Sequence, residues 1–148
     1  MENKNNIIQN ILLITFSMIS IIIGGLIYLV FRTRRLIMFH YIPDVFIQYL
    51  DKIKIIPYVN NINSDFIIYN FPAGLWTISY LILMQLIMKD SYGINRILWI
   101  YALPLVLTIV EIMQLCTFVP GTFDALDIIV YVIPIIISLL IDIQYEKI

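Results

Sequence analysis

The chain has 148 residues, of which 61% are hydrophobic and 13% charged, with a mean hydropathy of +0.95, whereas an ordinary soluble domain is about 45–50% apolar and about 25% charged. A water-soluble chain near this length hides only about 70% of the surface its unfolded form exposes, so the composition points to one compact membrane domain. Nine Lys and Arg against ten Asp and Glu give a net charge of -1, which supplies no basic field for nucleic acid. The single Cys116 and single His40 leave no internal disulfide and no His/Cys zinc site, and no cofactor is expected.

In chain order, the first apolar stretch runs from Ile7 to Phe31, about 25 residues, and at 1.5 Å per residue it exceeds the ~30 Å hydrocarbon core. Arg32, Arg34 and Arg35 follow at once, so it reads as a retained transmembrane helix rather than a cleaved signal peptide, whose apolar region is about 7–15 residues. Residues 36–69 form a mixed connector. Within it Pro43 and Pro57 bracket a stretch where Phe46, Leu50 and Ile53 recur near helical spacing and Asp44, Gln48, Asp51 and Lys52 face away. That pattern suits a short amphipathic helix in the interface, and equally a packed connector. Asn60 to Asp65 reads as a loop.

A second span is expected from Phe71 to Met88, with Pro72 in its first turn, where a missing N–H costs nothing, and Trp76 at headgroup level. Lys89 to Arg96 is a polar connection. A third span, Ile97 to Phe118, carries Glu111 and Gln114, and a fourth begins near Asp124 or Asp127 and runs to Ile141. The last is the shortest, with Pro134 midway, so it should be kinked or shielded by its neighbours. The fold class is therefore all-α, a polytopic bundle of about four transmembrane helices plus a short interfacial helix.

If the second and third segments both cross, the 32–69 and 119–126 loops lie on one side of the bilayer. That side then gathers the three arginines, Asn70, Glu111, Gln114, Asp124 and Asp127. Glu111 is placed roughly 10 Å below the helix end, where an ionised side chain costs about 2.5–3.5 kcal/mol on insertion scales, and Gln114 shares its helix face. The pair either glues helices, at about 0.6 kcal/mol per bond, or serves a ligand, ion or proton; the modest gain from glue favours the second.

Asp124 and Asp127 suit an N-cap and a first helical turn, or an acidic basin beside Glu111. The arginines offer counter-charge to it, or act as a topology signal and a contact to anionic lipid. His40 reads as a connector residue, and Trp76, Tyr80 and Tyr131 as packing or interface anchors. Five basic residues on that side (Arg32, Arg34, Arg35, Lys52, Lys54) against four on the other (Lys4, Lys89, Arg96, Lys147) leave the orientation open.

Glu111-Ile-Met-Gln114 followed by a Pro-containing turn and Phe123-Asp124-Ala-Leu-Asp127, with Pro72-Ala-Gly74 upstream, resembles the signature of VanZ-like membrane proteins. The likeness covers about residues 70–141, leaving the helix at 7–31 and the connector at 36–69 as additions. The chain departs from that pattern at Gly121-Thr122, where the family commonly has an Arg before the Phe-Asp pair, at Tyr131 in place of an Asn, and at Pro134 in place of a Gly.

The resemblance implies a multi-pass protein of a bacterial cytoplasmic membrane, in a family whose name-giving member is associated with low-level teicoplanin resistance. Usage heavy in Ile, Asn and Tyr fits an AT-rich bacterial genome. The expected partners are the lipid bilayer and an envelope amphiphile or lipid headgroup, held by Glu111, Gln114, Asp124, Asp127 and Asn70, without metal. Two other readings stand beside it: a lipid-modifying enzyme with Glu111 and Asp127 as acid/base pair, lacking a nucleophile, metal set or phosphate loop, and a structural or proton-coupled subunit.

Overall fold

The computed structural model describes residues 4–31, 37–53 and 65–145. Helix α1 (Lys4–Phe31) is followed by a 3-10 turn (Ile37–Tyr41) and helix α2 (Asp44–Ile53). A π-helical turn (Phe66–Asn70) then leads directly into α3 (Phe71–Ile87), and α4 (Ile94–Leu115) and α5 (Ala125–Tyr145) complete an all-α bundle. Among the described residues, Asn6–Phe31, Phe66–Ile87 and Ile94–Leu115 are long and apolar enough to cross a membrane. The apolar part of α5, Ala125–Leu140, rises only about 24 Å. Three of the four expected spans thus meet the length on their own, and α5 is the short helix of the four.

Burial explains why these helices need an apolar surrounding. Only 17% of the most apolar window of α1, and 17% of that of α4, is covered by the rest of the protein. Ile11, Leu12, Phe16 and Ile22 on α1, and Leu98, Val106 and Ile109 on α4, stand half or more exposed. In water such faces would form patches far larger than soluble monomers carry; against acyl chains they incur no such cost.

Helix α3 is the hub, packing on α1, α4 and α5, while α1 touches neither α4 nor α5. The α1 surface that meets α3 is built from small residues: Ser17, Ser20 and Gly24 lie one helical turn apart on a single face and are buried, which lets the two backbones approach. There the Ser79 hydroxyl lies 3.1 Å from the Ser17 carbonyl and 2.7 Å from its own Leu75 carbonyl. Trp76 crosses to donate its ring N–H to the Ile21 carbonyl at 3.3 Å and packs on Tyr28, ring centres 5.5 Å apart. These contacts run α1 antiparallel to α3, so the C-terminal end of α1 lies beside the N-terminal end of α3.

The other side of α3 carries the apolar core, Leu81, Ile100, Tyr101 and Ile135. It is threaded by a polar tie joining three helices. The Gln85 amide donates to Ser138 Oγ at 2.7 Å, and Tyr101 OH lies 3.0 Å from the same oxygen. Ser138→Ala is expected to cost about 0.6–1.7 kcal/mol, the range of polar contacts between membrane helices. Unfolding in mixed micelles checks this, and an unchanged midpoint would remove the tie from the forces holding α3, α4 and α5 together.

Element boundaries differ from the sequence reading at three places. The second span starts a turn early, because Phe66–Asn70 is already helical with π spacing: the Phe71 N–H reaches back to the Phe66 carbonyl. Pro72 has no N–H to continue an α-register from residue 68, so a turn with one extra residue accommodates it. Asp65, read as loop, is the cap of this turn.

Helix α4 runs from Ile94 to Leu115 rather than from 97 to 118. It ends in paired bonds, Phe118 N–H to the Met113 carbonyl (2.9 Å) and Thr117 N–H to the Gln114 carbonyl (3.0 Å), with Thr117 left-handed at φ 62°. This is the usual helix-stopping arrangement with Thr in the place that Gly normally fills. Helix α5 continues unbroken through Pro134 to Tyr145.

The amphipathic helix of the connector forms as expected. Leu50 is buried while Val45, Phe46 and Tyr49 stay exposed, an apolar edge suited to a bilayer interface. Pro57 and the 54–64 stretch lie outside the described residues.

Candidate functional site

Four of the five residues expected to form a polar site are brought together from three helices. Asn70 closes the π turn, Glu111 sits on α4, Asp124 precedes α5, and Asp127 lies in its first turn. Asn70 is 1% exposed, and its Nδ2 donates to Asp124 Oδ2 and to Asp127 Oδ1, both at 2.8 Å. Only the NH2 end of the amide can serve two carboxylates, so the partners fix which way the side chain points. Asp124 Oδ1 accepts the Leu126 N–H at 2.9 Å, capping α5 as its position predicts. The Asp124 N–H in turn points to Glu111 Oε2 at 3.4 Å. Asp124 is thus a cap that also meets Asn70 and Glu111.

Glu111 is buried, with the Asp124 and Asp127 carboxylates near enough to act on its charge. Because α4 stops at Leu115, Glu111 lies about 6 Å inside the helix end, shallower than the roughly 10 Å expected from a helix running to Phe118.

Gln114 is the residue that departs from the expectation. It lies against the turn after α4, where a Cβ on Gly121 would come within 2.7 Å of its amide. The backbone of Gly121, at φ 151°, presses onto this side chain, so Gln114 supports the turn rather than the carboxylates. Arg32, Arg34 and Arg35, the expected counter-charges, lie outside the described residues. His40 is exposed in the 3-10 turn, and Cys116 is exposed at the end of α4.

Next to this cluster lies a cavity of about 280 Å³, lined from α1, the π turn, α3, α4 and α5. Pro72, Ala73 and Thr77 of α3 form its floor, and Tyr28, Tyr69, Trp76 and Tyr131 its walls. Asp127 lines its polar end, while Leu103, Pro104 and Leu107 of α4 line the rest. Since α4 is antiparallel to α3, Leu103 lies two to three turns deeper than Asp127. The cavity therefore grades from carboxylate to aliphatic with depth.

Sequence reasoning singled out Trp76 and Tyr131 as packing residues and did not find Tyr28, Tyr69 or the α4 wall. Gln85, Tyr101 and Ser138 were missed too, although a Gln inside an apolar run is itself a signal, because its amide must find a partner. Among the described residues no group of three His, Cys, Asp or Glu could hold a metal ion. Compared with protein-family models, with curated proteins and with solved structures, the chain has no match.

Proposed function

We propose that this chain is a VanZ-like protein of a bacterial cytoplasmic membrane that holds an envelope amphiphile or lipid headgroup, and that it bears on tolerance of teicoplanin-type glycopeptides. The observation that supports the reading is the graded cavity: a carboxylate at one end, aromatic walls, and an aliphatic stretch from α4. An amphiphile has the matching gradient, with its head toward Asp127 and its chain along Leu103 and Leu107. The Glu111-x-x-Gln114 and Phe123-Asp124-x-x-Asp127 pattern supports the family reading. Asn70 holds Asp127 through its amide and ties it to Asp124, Glu111 meets the Asp124 N–H, and Gln114 braces the turn that carries Asp124. Glu111 meets a backbone N–H and does not line the cavity, which favours holding a ligand over acid/base chemistry upon it.

The test is genetic and chemical. At equal expression, Glu111→Gln, Gln114→Ala and Asp127→Asn are expected to change teicoplanin susceptibility or membrane-lipid composition, with Asp127→Asn the largest. If all three leave both measurements as in the parent, the pocket has no such role. Labelling of Cys116, the single thiol, by an impermeant maleimide in intact cells against inverted vesicles assigns the site to the outer or inner face.

A further inference from the structure

The outer side of α4 and α5 is not smooth. Leu98, Ala102 and Leu105 lie on one face of α4, four and three residues apart. Leu98 and Leu105 stand about half exposed, so Ala102 is a gap in bulk between two projecting leucines. On α5, Ile135 is buried while Leu139, one turn on, is exposed. Between the two helices these residues enclose a groove of about 510 Å³, floored by Ala102, Ile135 and the buried Tyr101 and rimmed by the three leucines and Trp99.

The groove shares no lining residue with the cavity at Asp127. Leu98 precedes Glu111 by 13 residues, about 20 Å along the helix, so the groove lies toward the opposite leaflet from the polar cluster.

Its surroundings say what fills it. The α4 face that carries Leu98, Ala102 and Leu105 continues as Ile109, which is exposed like them, so the groove is a depression in the surface already read as facing lipid. No charged side chain lines it, and the Tyr101 hydroxyl is engaged with Ser138. Left unfilled, its walls would forfeit dispersion contacts. From Ile97 to Leu105 it runs about 12 Å, close to one leaflet's half of the ~30 Å hydrocarbon core. A docked transmembrane helix would meet it over less than half of its own length. Trp99 stands toward the α4 N-terminus, the end where a lipid's head would sit among interfacial aromatic residues.

We infer that this groove is a binding site for one acyl chain of a membrane glycerolipid, laid along Ala102 between Leu98, Leu105 and Leu139. The site reads the chain and not the head, and it stands whether or not the Asp127 cavity takes an amphiphile.

Helices α1 and α4 both run antiparallel to α3, so the exposed Ile11 and Leu12 of α1 face lipid in the same leaflet and serve as the internal reference. The full chain is reconstituted in phosphatidylcholine vesicles carrying a small fraction of phosphatidylglycerol with a photoactivatable diazirine along one acyl chain. Peptide mapping after illumination is expected to find Leu98, Ala102 and Leu139 labelled about fivefold more than Ile11 and Leu12, the preference that about 1 kcal/mol gives. Equal labelling of the two surfaces in the unaltered chain would overturn the site.

Ala102→Leu, which fills the floor, should bring labelling of Leu98 and Leu139 down to the α1 level with helicity unchanged, whereas Ala102→Gly should keep the enrichment. Enrichment that survives Ala102→Leu would also sink the proposal. Asp127→Asn is expected to leave it intact, which separates this site from the polar cavity. Unlabelled dioleoyl phosphatidylglycerol and dioleoyl phosphatidylethanolamine should compete equally, and dihexanoyl phosphatidylglycerol poorly; a head preference, or equal competition by the short chains, would overturn reading of the chain. Should Ala102→Leu instead convert a dimer to single chains in light scattering, the occupant is a second copy and the lipid assignment falls.

Discussion

Asn70→Asp is expected to unfold the bundle more readily than any other single change at the polar cluster. The Asn70 amide is buried and gives one N–H to each of two carboxylates. Asn70→Ala removes both bonds and leaves Asp124 and Asp127 facing each other, a loss of about 1.5–3 kcal/mol given the strength of bonds to charged acceptors. Asn70→Asp does more, because it places a third carboxylate where the donor stood, with like charges crowded in a poorly solvated site.

The sign of the pH dependence follows. In alkaline buffer the introduced carboxylate is charged and the repulsion is at its largest. On acidification the new carboxyl takes up a proton, becomes a donor and regains part of what the amide supplied. The deficit relative to the parent protein should therefore shrink as pH falls, while that of Asn70→Ala should change less. Denaturation in mixed micelles at alkaline and acidic pH measures both. A variant Asn70→Asp as stable as the parent in alkaline buffer would mean that the amide bridge contributes little.

Gly24→Ala should loosen α1 from α3 by about 1–3 kcal/mol, the usual cost of forcing extra volume into a filled contact. A Cβ there would stand 2.6 Å from Trp76 Nε1, 3.1 Å from its Cδ1 and 3.3 Å from the Pro72 carbonyl. The indole cannot swing away freely, since its N–H is bonded to Ile21 and its ring packs on Tyr28. The neighbouring position supplies the control: a Cβ on Gly25 meets nothing within 4 Å, so Gly25→Ala should be neutral or gain a few tenths of a kcal/mol from helix propensity. Thermal unfolding followed by circular dichroism separates the two, and equal effects would show that the contact at Gly24 is yielding.

The bundle was legible in the sequence because lipid-facing helices need only continuous apolar length, which a chain with residues such as Ile7 to Phe31 displays openly. Ends were harder. Asn95 and Arg96 look like loop yet are the first turn of α4, since polar residues at a helix start can reach the interface. Phe118 looks like helix yet lies beyond a stop made by Thr117, a residue that carries no Gly signal. The π turn is invisible to composition, because Phe66–Asn70 would suit an α-helix equally well and only the missing N–H of Pro72 distinguishes them.

At the site, counting crossings was enough to collect Asn70, Glu111, Asp124 and Asp127. Helical spacing set Gln114 beside Glu111, whereas its side chain lies against the turn at Gly121. The cavity walls were beyond reach of sequence, because Tyr28, Tyr69 and Leu103 become neighbours only through the gap left where α1 and α4 fail to meet.

That gap follows from α1 leaning mainly on α3, with smaller contacts to α2 and the π turn. Helices α3, α4 and α5 are cross-linked among themselves by Asn70 with Asp124 and Asp127, by Gln85 with Ser138, and by Tyr80 OH with the Trp99 carbonyl at 2.6 Å. The trio is thus tied together independently of α1, which closes one flank of the cavity through Tyr28. Any force that rocks α1 against α3, such as a change in bilayer thickness, would widen or narrow that berth.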